Sequence, residues 1–138
     1  MIVAPLPSAH SCFMSSHRES KFVSIVDDDD SVRGTLQELL RSAGFSSRAF
    51  ESAEAFLGSG HQQETACLIT DIRMSGMSGL ELQARLNAEH CRIPTIFITA
   101  HGDEEMRFQA LRAGAVEFLP KPFDDEVLVE SVRAALDR

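Results

Sequence analysis

A regular alternation of two patterns limits the folds open to this chain. Five short strand-like runs, Phe22–Val26, Phe45–Phe50, Ala66–Thr70, Thr95–Thr99 and Val116–Leu119, are each followed by a segment of helical periodicity. Stretches such as "CLIT" and "TIFIT" are apolar continuously rather than alternately, as strands covered on both faces should be. Parallel pairing needs crossovers of helix length, and the intervening segments supply them. Strands alternating with helices imply an α/β domain, a central five-stranded parallel sheet with helices on both sides.

The helices have readable faces and ends. Val32, Leu36, Leu39, Leu40 and Ala43 share one face of a first helix that Gly44 should stop. Ser52 is placed to cap a short second helix that turns Phe56 and Leu57 inward, and Ser78 to cap a third marked by Leu80, Leu82 and Leu86. Met106, Ala110 and Ala113 mark a fourth, ended by Gly114. Asp124 and Asp125 open a fifth with Val127, Leu128, Val132, Ala135 and Leu136 inward. Residues 1–20 show no periodicity and no secretory-signal pattern, and are expected to form a flexible N-terminal extension to a domain spanning 21–138.

Composition narrows the function. No apolar run approaches the roughly 20 residues that span a bilayer. A net charge of −8 disfavours direct nucleic-acid binding, which needs a basic face. Cys12, Cys67 and Cys91 are widely spaced without a CxxC, as reduced thiols of a cytoplasmic protein would be, and the histidines show no metal-ligand spacing.

The chemistry sits at the strand ends. In open α/β sheets, ligands gather at the carboxyl ends of the strands. Here those ends carry Asp27 and Asp28 in "IVDDDD", Asp71 in "LITDIRMSGMSG", Thr99 in "FITAHGD" and Lys121 in "FLPKPF". Converging carboxylates repel one another and hold their protons more tightly unless a cation neutralises them. A hard divalent ion with oxygen ligands suits such a rim, and Lys121 adds a second positive centre beside Asp71. Together they suit a phosphoryl group. Asp29 and Asp30 have a separate explanation as acids at a helix start.

These residues resemble the receiver domain of bacterial two-component response regulators, over about Phe22 to Arg138. "RSAGF", "SAEAFL", "PTIFITAHGD" and "GAVEFLPKPF" are further similar to its FixJ/NarL-like branch. The resemblance implies a flavodoxin-like (βα)5 fold with strand order 2-1-3-4-5. It implies Mg²⁺ (or Mn²⁺) held by Asp28, Asp71 and the backbone carbonyl of Arg73, with Asp27 assisting partly through water. Asp71 would accept phosphate from a sensor histidine kinase, Lys121 would contact the phosphate, and Thr99 and Phe118 would form the switch. Such a domain acts chemically only on itself and is not a turnover enzyme.

Phosphorylation would favour a homodimer through the fourth helix, fifth strand and fifth helix, with Arg112, Val116 and Phe118 participating. Arg73 and His101 occupy places that tune phosphate lifetime, unless they are simply solvent-facing loop side chains. Phe118 has the alternative of being an ordinary core phenylalanine. Two positions depart from the family's common pattern: Ser75 stands where proline is frequent, which should loosen the loop, and Ser78 where aspartate is frequent. A metal-dependent phosphatase would tend to carry a second acid two residues after its nucleophile; that place is Arg73. A degenerate receiver serving as a scaffold is the remaining alternative. Ending near the fifth helix, the chain is expected to be a single-domain regulator or the receiver half of a longer transcription factor.

Overall fold

The computed structural model describes residues 21–100 and 104–137. The expected N-terminal extension, Cys12 and His101 lie outside the described residues. Five strands, β1 (Phe22–Val26), β2 (Ser47–Phe50), β3 (Thr65–Asp71), β4 (Thr95–Thr99) and β5 (Glu117–Pro120), form one sheet in the order β2-β1-β3-β4-β5. Every neighbouring pair is parallel. The helices are α1 (Asp30–Ser42), α2 (Ala53–Ser59), α3 (Gly79–Ala88), α4 (Glu104–Arg112) and α5 (Asp125–Leu136). This is the doubly wound flavodoxin-like architecture that the alternation implies.

Both faces of the sheet are covered, which explains the unbroken apolar runs. Val23, Ile25, Cys67, Ile69, Ile96 and Ile98 point to one side, where they pack with Leu36 and Leu40 of α1 and Leu128, Val132 and Ala135 of α5. Val26 and Leu68 point the other way, onto Ala53 and Phe56 of α2 and Leu82 and Leu86 of α3. Phe97 and Phe118 continue that face beneath Ala110 of α4. Burial of β1 and β4 is complete along their length, as central parallel strands require. Burial also pushes the Cys67 thiol up to about 12, so this cysteine is an inert core residue.

The caps fall where the side chains allow. Ser52 Oγ accepts the Ala55 N–H at 2.9 Å, and Ser78 forms a reciprocal capping box with Glu81. Asp29 caps α1, and Asp124 caps α5 by accepting from Glu126 and Val127. Some boundaries differ from the sequence expectation. Phe45 precedes β2 and packs against the core instead, with the Arg133 guanidinium 5.4 Å over its ring. Thr65 and Asp71 extend β3 at both ends, whereas Val116 lies outside β5. Val127, expected inward, is 44% exposed because it lies about 100° around α5 from Leu128, off the stripe of Leu128, Val132 and Ala135 that packs on the sheet. A 3₁₀ turn at Gln62–Glu64 carries no apolar periodicity and was not legible.

Candidate metal and phosphoryl site at the strand ends

Asp27 directly follows β1, Asp71 is the last residue of β3, Thr99 closes β4 and Lys121 follows β5. The parallel order makes these four ends neighbours on one rim. Lys121 is drawn in by its backbone, whose N–H donates to the Thr99 carbonyl at 2.7 Å. Its Nζ bridges Asp27 Oδ2 at 3.1 Å and Asp71 Oδ2 at 3.0 Å. Asp27 is wholly buried, Asp71 is 7% exposed and Asp28 lies at the surface. One oxygen from each of these three carboxylates falls within 4.8 Å of the others.

The local sequence fixes the acids in place. Asp27 Oδ1 accepts the Asp29 N–H at 2.9 Å, and the Arg33 guanidinium donates to the Asp27 carbonyl at 2.7 Å while pairing with Asp30. Asp28 Oδ2 accepts the Ser75 N–H at 3.3 Å, and Asp71 Oδ1 the Arg73 N–H at 3.4 Å. Thus the loop following Asp71, residues 72–78, touches two of the three carboxylates. The loop that Ser75 was expected to loosen is also held by Met74 and Met77, which pack against the α2–α3 side of the core.

The electrostatics follow from burial. Desolvation is the strongest influence on Asp27 and, with the nearby charge of Asp71, raises its pKa, although the Asp29 N–H and Lys121 oppose this. For Lys121, desolvation pulls downward, but the hydrogen bonds and charges of Asp71 and Asp27 outweigh it and raise the pKa. A single ammonium facing three carboxylates leaves excess negative charge, and the donors are all hard oxygens. That set fits a divalent cation of the Mg²⁺ type.

The raised pKa of Asp27 makes stability depend on pH. A carboxyl whose folded pKa lies above its unfolded value loses stability as pH rises from the unfolded pKa through the folded one. Asp27→Asn should therefore raise the urea midpoint of the metal-free protein at pH 7. The gain should shrink as pH falls toward the ordinary carboxylate range. A midpoint difference independent of pH would contradict the assignment of excess negative charge to this rim.

The other expected residues fall as follows. Thr99 is buried at the strand end. Phe118 faces inward, 8% exposed, with its ring 6.3 Å from Phe97. Arg73 is exposed on the loop, its guanidinium 3.9 Å from Met106 Sδ of α4. Two contributors escaped the sequence reading. Arg33 supports the Asp27 backbone from the next helix. Gly79 starts α3 so close to Asp71 that a Cβ there would collide with the Asp71 carbonyl oxygen. The "SG" step at the helix start was the only available sign of it.

A doubly wound domain with a lysine-bridged acidic rim is the class that fold and geometry define. The family model described as the response regulator receiver domain matches residues 23–133. The chain belongs to that family, whose members are signalling domains rather than turnover enzymes. It is 45% identical over 120 residues to the transcriptional regulatory protein FixJ of Azorhizobium caulinodans, covering 87% of this chain and 57% of that protein. It is 46% identical over 112 residues to the response regulator protein TodT of Pseudomonas putida, covering 81% of this chain and 49% of TodT. The chain thus spans about half the length of these relatives. Among solved structures, the crystal structure of FixJ-N superposes with a TM-score of 0.78 at 42% identity, covering 86% of this chain and 94% of that one. The response regulator StyR gives 0.78 at 50% identity, covering 83% and 58%. No helix among the described residues is long and apolar enough to cross a membrane.

Proposed function

We propose that this chain is a phospho-accepting receiver in which Asp71 takes a phosphoryl group from the phosphohistidine of a sensor kinase. The observation that carries this reading is the Lys121 bridge between Asp27 and Asp71 beside a third carboxylate. An Asp71 carboxylate oxygen attacks phosphorus in line, the P–O bond forms as the P–N bond breaks, and the departing imidazole is protonated. Lys121, already bonded to the Asp71 carboxylate at 3.0 Å, meets the charge on the transferred oxygens; Thr99 donates a hydrogen bond to one of them. Asp27, Asp28 and Asp71, with the Arg73 carbonyl, would hold Mg²⁺ or Mn²⁺, which when bound neutralises the carboxylates and the phosphoryl oxygens. Arg73 and His101 set the lifetime of the product. Arg73→Ala should therefore change its decay rate, and identical decay would remove Arg73 from this role.

The added charge biases a two-state switch through Thr99 and Phe118. The output is a homodimer through α4, β5 and α5. Phe108 and Leu111 on α4 and Val127 on α5 are large apolar side chains left exposed there, and the Arg112 guanidinium sits 5.5 Å over the Phe108 ring. We place the domain in the cytoplasm and, by likeness to FixJ and TodT, upstream of transcription, with no nucleic-acid contact of its own. Acetyl phosphate with Mg²⁺ should add a hydroxylamine-labile label to the chain, and the labelled sample should sediment as a dimer. Failure to take label would overturn the phospho-acceptor reading; an unchanged monomer after labelling would overturn the dimer.

A further inference from the structure

The loop between β3 and α3 carries Arg73 and Ser75 over the carboxylates, and two of its polar tethers, at Ser75 and Met77, are of different kinds. One is the long bond from the Ser75 N–H to Asp28, a carboxylate that also belongs to the acidic cluster. The other is Glu54, in the first turn of α2, whose Oε2 accepts the Met77 N–H at 2.9 Å. Gly76 lies between these tethers with φ +79°, and a Cβ on it would stand 2.8 Å from the same Glu54 oxygen. Met77 also packs its side chain on the cluster that contains Ala53 and Phe56 of α2. Glu54 therefore meets the loop at its backbone, beside an apolar contact that fixes the approach.

Its use differs from that of the surface acids paired along their own helices. Glu38 pairs with Arg41, Glu89 with Arg85 and Asp30 with Arg33, all within one helix or its adjoining turn. Glu54 instead accepts a backbone N–H from a segment 23 residues away in sequence. A charged acceptor on a backbone N–H is among the stronger hydrogen bonds available to a surface group.

We propose that Glu54 is a positioning residue that keeps the loop after Asp71 ordered, so that the carboxylate rim accepts a divalent cation without first having to order that loop. The proposal rests on reading Asp27, Asp28 and Asp71 as the cation site. A site whose competent form is already populated binds more tightly than one that must be assembled on binding. The Glu54 tether uses no oxygen of the cluster, so it persists when Asp28 is engaged.

The test uses the whole chain as parent, Glu54→Ala and Glu54→Gln, with amide-resolved NMR. The Gln amide oxygen can still accept from Met77; Ala cannot. In the metal-free state the Met77 N–H should exchange roughly tenfold faster in Glu54→Ala than in the parent. The Mg²⁺ dissociation constant, read from amide shifts, should rise roughly fivefold in Glu54→Ala, with Glu54→Gln falling between the parent and Glu54→Ala on both readouts. Unchanged Met77 exchange in Glu54→Ala would overturn the tether. Unchanged Mg²⁺ affinity there, or a Gln variant as impaired as Ala, would overturn the positioning role. A parent that binds no Mg²⁺ would instead sink the cation reading, while Met77 exchange still decides the tether.

Discussion

Lys121→Ala is expected to slow labelling of the chain by acetyl phosphate about a hundredfold or more, the usual effect of deleting a preorganised charge aimed at developing negative charge. The same substitution should destabilise the metal-free protein by about 1–3 kcal/mol at neutral pH, because it removes the donor shared by Asp27 and Asp71. The Asp27 side chain is fully buried and the Lys121 side chain 19% exposed, so water can replace only part of the lost contact. Mg²⁺ should recover part of the stability by binding the folded state. It should not recover the labelling rate, since a cation on the acids does not replace the ammonium on the phosphoryl oxygens. Labelling at the parent rate would show that Lys121 is only a structural counter-charge.

Gly79→Ala should have an effect of similar size for a different reason. Its Cβ would overlap the Asp71 carbonyl oxygen and sit 3.1 Å from the Ile72 Cα, both backbone atoms that cannot swing aside. The Gly79 N–H also donates to the Ile72 carbonyl at 2.8 Å, so α3 cannot retreat without breaking that bond. Overpacking of this kind costs roughly 1–3 kcal/mol. Displacing the nucleophile by even about an ångström lowers a positioned reaction on the order of a hundredfold. Gly34→Ala is the matching control. That glycine lies in α1 with open space around its Cβ position, and the change should stabilise the protein by about 0.5–1 kcal/mol. Chemical denaturation of both variants separates the cases; a neutral Gly79→Ala would mean that the end of β3 moves freely.

The contrast between these two glycines marks where sequence reasoning stops. Strand runs such as "TIFIT" announce burial on both faces because every side chain has to be apolar, and the rim follows once parallel order is accepted. Asp27, Asp71 and Lys121 were readable for that reason. Helix caps at Ser52 and Ser78 were readable because capping is local, and so was the acidic start of α5 at Asp124 and Asp125. By contrast, the approach of Gly79 to Asp71, the Glu54–Met77 bond and the reach of Arg33 to the Asp27 carbonyl depend on loop paths and tertiary docking. No periodicity encodes them. Val127 shows the same limit on a helix, where two adjacent apolar residues leave open which of them falls on the stripe that meets the sheet.

The most direct measurement compares the parent with Asp71→Asn during incubation with acetyl phosphate, in Mg²⁺ and in excess chelator, with the modified residue located by mass spectrometry. Label on Asp71 of the parent in Mg²⁺, with none in chelator and none in Asp71→Asn, is the expected result. Equal label on Asp71→Asn, or labelling indifferent to Mg²⁺, would contradict the assignment of this rim as a metal-assisted phosphoryl acceptor.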